Sequence, residues 1–152
     1  MKYAFFTTLT ILLASACGPA SHITPPPHFL SLDSEEEGYA ERATSADGIV
    51  LATRELDNEH EGTLAFWVQA IKEHMQQTRG YALTAESDVR IASGQTGKQL
   101  RFGHDETGGP YVYWLSVFVE GDRIFLVEAG GKQSLFTASQ AQIEQAIQGY
   151  RF

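Results

Sequence analysis

The sequence has very few cysteines and few basic residues. Its 152 residues include one cysteine, Cys17, so no disulfide can form within a single chain and the folded part must be held by its core. A domain of about 110 residues is large enough for that. Lys and Arg number 11 against 19 Asp and Glu, which gives a net charge of −8. Without a basic cluster, we expect no nucleic-acid binding and no electrostatic adhesion to anionic lipid.

The N-terminal apolar run is short. After Lys2, the uncharged segment from Tyr3 to Ala16 mixes apolar residues with threonines. Its length of about 14 residues is below the roughly 20 that a helix needs to cross a bilayer. We therefore interpret residues 1–16 as a removable export signal, not as a stable membrane span.

The single cysteine ends this leader. The motif "LASAC" resembles the lipobox of bacterial lipoproteins, in which the cysteine becomes the first mature residue and is acylated. One departure is that Ala14 stands where the family usually has leucine. The alternative is an ordinary cleavage site after Ala14-Ser15-Ala16, which would release a secreted soluble binding protein with a free thiol. We expect lipidation of Cys17, because an unpaired cysteine in an exported protein requires a reason.

The lipoprotein resemblance also implies a location. Mature bacterial lipoproteins carry three acyl chains, and two or more chains hold a protein firmly on a membrane. Gly18 follows the cysteine, and in Gram-negative lipoproteins the absence of Asp at this position implies sorting to the outer membrane. We therefore expect a lipid-anchored protein of the bacterial cell envelope, facing the periplasm.

Residues 17–41 predict a disordered tether rich in Pro and Glu. Pro25-Pro26-Pro27 favours an extended path, and Glu35-Glu36-Glu37 repels itself. Phe29 and Leu30 are apolar exceptions that could dock on the domain or on a partner, but a solvated linker with two stray apolar residues is the favoured interpretation. The isolated histidines of this segment have no metal-site spacing.

Residues 42–152 alternate between strand and helix patterns. A strand pair around "ADG" precedes an amphipathic helix in "EGTLAFWVQAIKEHMQQT", then extended segments, and a second helix in "SLFTASQAQIEQAIQGY". For the second helix, Thr137 and Gln140 have capping-box spacing, so we expect a start near Ser134 or Thr137. The clearest pair is "YVYWLSVFVEGDRIFLVEA", whose Gly121-Asp122 turn sets Leu115 opposite Glu128.

Both faces of this hairpin are apolar, so both need covering. The two amphipathic helices are available for this. The predicted fold class is therefore α+β, with an antiparallel sheet of about six strands and one helix packed on each face.

The order of elements, together with the phrases "GKQLRF" and "RIFLVEAGG", resembles PsbP-like domains. That fold occurs in extrinsic photosystem subunits and in small bacterial lipoproteins of the DcrB type. The resemblance covers residues 39–152 and includes no catalytic motif. It implies binding or scaffolding more often than catalysis, with an unidentified envelope protein or small ligand as the partner.

Two polar clusters are candidates for chemistry. The run from Asp57 to Glu61 could offer metal ligands, but it lacks a metal-site spacing and is typical of a charged helix start. His104, Asp105 and Glu106 precede a Gly-Gly-Pro loop and suggest, as an alternative function, an envelope hydrolase or metal-dependent enzyme. Without a Gly-x-Ser-x-Gly or His-Glu-x-x-His motif, we predict no catalytic residue, metal or cofactor.

Glu128 is the most informative single residue. The hairpin register sets its carboxylate among apolar neighbours, where an unpaired charge is costly. Arg101 or another base is expected to pair with it in a structural ion pair. The alternative is that Glu128 lines a partly wet cavity.

Overall fold

The computed structural model describes residues 21–32 and 38–152. Over these ranges the chain forms seven strands, two α-helices and one π-helical turn that continues the first helix. In chain order the elements are β1 Phe29–Leu32, β2 Glu41–Ser45, β3 Val50–Asp57, α1 Leu64–Glu73, the π turn His74–Thr78, β4 Ala82–Arg90, β5 Thr96–Glu106, β6 Gly109–Glu120, β7 Arg123–Lys132 and α2 Gln133–Gln148.

The strands form one antiparallel sheet in the order β1-β2-β3-β7-β6-β5-β4. The β6–β7 hairpin at its centre has the predicted register, with Leu115 opposite Glu128 and Val119 opposite Ile124. Gly121 in its turn has φ +57°, a conformation that glycine adopts without strain. The predicted β2–β3 hairpin is also confirmed, and Gly48 closes it at φ +84°.

The two helices pack on opposite faces of the sheet. Because successive side chains on a strand alternate in direction, Trp114 and Leu115 point to different faces. Trp114 packs in the cluster that contains Phe136 and Ile143 of α2. Leu115 belongs to a cluster packed against Trp67 of α1. Both apolar faces of the central hairpin are thereby buried.

Two details differ from the sequence analysis. The sheet has seven strands rather than about six, because β1 pairs with β2 at the edge. The helix α2 begins at Gln133, directly after β7 and one residue before Ser134, so of the two expected starts the one near Ser134 is confirmed and the capping box at Thr137 is not formed. Thr137 lies inside the first turns, where its hydroxyl donates a hydrogen bond to the Gln133 carbonyl at 2.8 Å.

The segment 21–32, expected to be part of a disordered tether, is ordered against the domain. His22 forms a β-bridge with Arg151, and both the His22 ring and the Ile23 amide contact the Glu41 carboxylate. The side chains of Ile23 and Phe29 join the core cluster on the α2 side of the sheet. The composition of the segment is polar and proline-rich, but these two side chains supply enough buried apolar surface to hold it.

This packing predicts a difference between two neighbouring residues. Phe29 is 6% exposed and Leu30 is 74% exposed. We expect Phe29→Ala to lower the free energy of unfolding by about 3 kcal/mol, because it leaves a cavity in the core. Leu30→Ala, the matched control, should unfold at nearly the wild-type denaturant concentration. Equal unfolding midpoints for the two variants would show that the segment is a solvated linker.

Candidate functional site

The α1 face of the sheet is only partly covered. The helix lies over β5 and β6, and beside it a groove of about 340 Å³ opens over β3 and β7. Its floor includes Ala52 and Gly130, and its walls carry four tyrosines. We call it the tyrosine groove; its lining residues used below are Tyr39, Arg42, Ala52, Tyr81, Tyr111, Tyr113, Glu128 and Gly130.

Glycine keeps the floor of the groove low. A Cβ atom on Gly130 would lie 3.2 Å from the carbonyl oxygen of Val112 and 3.4 Å from the ring of Tyr113. A side chain at this position would therefore displace the Tyr113 ring or fill the space in front of it. The depth of the groove therefore depends on having glycine, which has no side chain, at position 130.

A polar network crosses the groove. The Arg54 Nε donates a hydrogen bond to Glu128 Oε1 at 2.5 Å, with only 28% and 14% of the two side chains exposed. The Tyr113 hydroxyl lies close enough to the Glu128 carboxylate to interact with it. Burial, and then the charge and hydrogen bond of Glu128, raise the pKa of Tyr113 well above its ordinary value. Burial is the largest single influence on Arg54 and lowers its pKa, but the charge and hydrogen bond of Glu128, together with Tyr39 and Tyr113, outweigh it and raise the pKa of Arg54.

Aromatic rings line the network on both sides. The guanidinium carbon of Arg54 lies 3.7 Å from the ring centre of Tyr39, and that of Arg42 lies 4.9 Å from it. Cation–π contacts of this kind hold the Tyr39 ring at the rim. On the other side, Tyr81 stacks on His104 with ring centres 4.8 Å apart. The site therefore offers flat faces and phenol groups beside one carboxylate and two guanidinium groups.

Glu128 has a structural ion-pair partner, but this partner is Arg54 and not Arg101. Arg101 lies opposite Trp114, on the α2 face, where its guanidinium stacks over the Trp114 ring and pairs with Glu144. Because Leu115 is one residue along from Trp114, Glu128 lies on the other face of the sheet. Arg101 therefore cannot reach it. Glu128 both forms the ion pair and lines the groove, so the two alternatives raised from the sequence coexist.

His104, Asp105 and Glu106 do not converge on one reacting centre. They are consecutive at the end of β5, so the side chain of Asp105 points away from the face that carries the other two. Within the described ranges, no hydrogen bond joins His104 to either acid, and His104 instead stacks on Tyr81. This arrangement gives no support to general acid–base catalysis by the three residues.

The acidic run from Asp57 to Glu61 lies between β3 and α1. Asp57 pairs with Arg123, and the first turn of α1 contains no acidic residue, so the interpretation as a charged helix start is wrong. In the part of the chain that the structure describes, no group of three or more His, Cys, Asp or Glu side chains is placed to hold a metal ion. The run instead contains Asn58, a buried residue that organises the loop through hydrogen bonds with Gly62 and Trp67.

Several residues of the site cannot be identified from the sequence, and Arg54 and Tyr39 show why. Arg54 is 74 residues from Glu128 along the chain, and its pairing depends on β3 lying beside β7. Tyr39 precedes β2 and lies within residues 17–41, for which the sequence predicts a tether. The sequence around Arg54 gives no distinctive signal, because β3 also contains Glu55 and Asp57.

The leader and Cys17 lie outside the described residues. Among residues 21–32 and 38–152, no helix is long and apolar enough to cross a membrane.

The ion pair in the groove predicts a stability effect. Glu128→Gln removes the charge that compensates Arg54 and weakens the bond from Tyr113, so we expect it to lower the free energy of unfolding by about 1–3 kcal/mol. Asp88→Asn is the matched control, since Asp88 pairs with Lys98 on the surface and its side chain is 71% exposed. That variant should melt close to the wild-type temperature in a calorimetric scan. A Glu128→Gln protein that melts like the control would exclude a stabilising pair.

Comparison with known proteins shows similarity of fold. No protein-family model and no curated protein sequence matches this chain. The solved structure of cyanobacterial PsbP (CyanoP) from Synechocystis sp. PCC 6803 aligns with a TM-score of 0.63 and 10% identity, over 88% of this chain and 86% of that one.

Two further structures have similar folds. LpqN of Mycobacterium tuberculosis, described as involved in cell envelope biogenesis, aligns with a TM-score of 0.66 and 11% identity over 90% of this chain and 84% of LpqN. The Ran-binding protein Mog1p of Saccharomyces cerevisiae aligns with a TM-score of 0.57 and 14% identity, over 85% and 84%. At these identities the comparisons establish the fold alone. The chain has the PsbP-like fold, as the sequence analysis predicted.

Proposed function

We propose that this protein is a lipid-anchored lipoprotein of the bacterial cell envelope whose domain binds a small ligand in the tyrosine groove without transforming it. The observation that carries the proposal is the groove itself, in which four tyrosines lie around a partly buried ion pair. Aromatic walls with a few fixed polar groups are typical of small-molecule sites. An envelope protein bound at the same surface is the alternative partner.

The size and chemistry of the groove limit the ligand. Its volume of about 340 Å³ is at the lower end of the roughly 300–1,000 Å³ found for small-molecule sites. Because a cavity of about 150 Å³ already holds one benzene ring, the groove has room for a ring together with its substituents. The tyrosine faces favour a flat or weakly polar ring face, and the Glu128–Arg54 pair favours hydrogen-bonding substituents. We infer a ligand with one ring that carries polar groups.

The same groups argue for binding over catalysis. The described residues that line the groove include no serine, threonine, cysteine, lysine or histidine. Glu128 is the only carboxylate among them, and it is occupied by Arg54 and Tyr113. A carboxylate held in this way is a poor general base, because a proton would have to displace its partners. The groove is therefore suited to hold a molecule.

The proposed location rests on the leader. The uncharged run, the lipobox-like "LASAC" and Gly18 support acylation of Cys17 and sorting to the outer membrane. The similarity of fold to LpqN, which is described as involved in cell envelope biogenesis, agrees with an envelope location. It adds no information about the ligand.

Acylation can be measured directly. When the full chain is expressed in a Gram-negative host with labelled palmitate, we expect label on the wild-type protein and none on Cys17→Ser. Intact mass of the purified protein should show a chain that starts at Cys17 and carries added acyl mass. If the mature chain carries an unmodified Cys17, or begins at another residue, the protein is secreted and not lipid-anchored.

Ligand binding to the groove is testable by NMR with three simple probes, phenol, glucose and benzoate. We expect at least one of them to shift the amide signals of Gly48, Gly130 and Gly131, which border the groove. Tyr111→Ser should weaken these shifts several-fold. Phe66→Ser, which removes an aromatic ring that is 58% exposed outside the groove, should not. Shifts that persist unchanged in Tyr111→Ser would place the binding surface elsewhere.

A further inference from the structure

The two ends of the sheet are chemically and structurally different. Ser21 and Arg151 lie at one end, together with the β4–β5 and β6–β7 turns. The end of α2 is placed there because the Ala92 amide, in the β4–β5 turn, donates to the Gln148 carbonyl. The N-terminal segment is placed there because His22 and Arg151 are joined by backbone hydrogen bonds. We call this the anchor end. The β5–β6 turn, Gly48 and the start of α2 lie at the other end, which we call the groove end.

The tyrosine groove extends toward the groove end. Along β7 it runs from Glu128 in the middle of the strand to Gly131 near its last residue. The turn residue Gly48 and Tyr111 at the start of β6 close it on that side. The eleven residues of β5 separate the two ends by about 35 Å at the usual rise per residue.

The chain between Cys17 and the anchor end is short. Ser21 is the first described residue, and from His22 onward the chain is held by the bridge to Arg151 and by two contacts with Glu41. Four residues in fully extended form span at most about 14 Å. Because the segment from His22 onward is docked on the domain, the chain between Cys17 and the fold is much shorter than the tether expected from the sequence.

We propose that the acylated protein stands on the membrane by its anchor end, with the tyrosine groove directed away from the lipid. This orientation rests on the proposed acylation of Cys17. The partner of the anchor end is a lipid surface, because the covalent acyl chains hold Ser21 within about 14 Å of the headgroups. The groove end, about 35 Å farther along the sheet, stays open to soluble ligands.

The charges at the anchor end argue against electrostatic attraction to the membrane as the cause of this orientation. The loops and strand ends there carry five acids, Asp57, Glu59, Glu61, Glu120 and Asp122, against three arginines, Arg90, Arg123 and Arg151. Such a surface is not attracted to anionic headgroups. The orientation is therefore imposed by where the chain leaves the fold, and it should not depend on salt.

The test uses the full acylated chain in vesicles of phosphatidylcholine and phosphatidylglycerol with a short-range quencher on the headgroups. Ser93→Cys at the anchor end and Thr107→Cys at the groove end supply labelling sites on exposed turns, and the sulfur of acylated Cys17 does not react. We expect fluorescence quenching several-fold stronger at position 93 than at position 107, at low and at high salt.

A linker insertion is the control. Twenty Gly and Ser residues between Ala20 and Ser21 leave the fold unchanged and add a reach of about 25 Å, so the difference between the two positions should shrink. Equal quenching at both positions in the native-length acylated protein would overturn the orientation but leave the anchor. If Cys17 carries no acyl chain, the proposed anchoring fails, and the orientation falls with it.

Discussion

Burial of both faces of the β6–β7 hairpin is the constraint on which the rest of the structure depends. With one cysteine in the chain, the fold has no internal disulfide to hold it. Trp114 and Phe118 need cover on one side, and Leu115 and Val117 need it on the other. An antiparallel sheet with one uncovered face would leave one of these sets in water. Two helices on opposite faces are the simplest solution.

The helices are unequal, and that inequality makes the groove. The α2 face is covered by sixteen helical residues and by the N-terminal segment, whereas α1 has ten residues before its π turn. The part of the α1 face over β3 and β7 is left to side chains from loops and strand ends. There the sheet places glycines, tyrosines and the Arg54–Glu128 pair among small aliphatic residues such as Ala52. A surface with this composition tolerates water at its mouth and still presents aromatic area to a ligand.

The fold was predictable wherever the signal was local. A Gly-Asp turn and a period of two determine the β6–β7 register, so the position of Glu128 opposite Leu115 followed from the sequence. The partner of Glu128 could not be predicted in this way, because it depends on which strand pairs with β7 on the side opposite β6. Arg101 is nearer in sequence and also lies on a core strand, but its position in the alternation turns it to the other face. The site could be found only in part, since Tyr39, Tyr81 and Tyr113 come from three distant parts of the chain, two of them loops.

The N-terminal segment shows how composition alone misleads. Proline-rich and polar chains are expected to stay disordered because they bury too little apolar surface. Proline, however, also restricts the unfolded chain, so that ordering Pro25–Pro27 costs less conformational entropy than ordering other residues would. Two buried side chains, Ile23 and Phe29, and the contacts with Glu41 are then sufficient to hold the segment. The same docking that adds β1 to the sheet shortens the free chain after Cys17, so the stability of the edge strand and the geometry of attachment have a common physical cause.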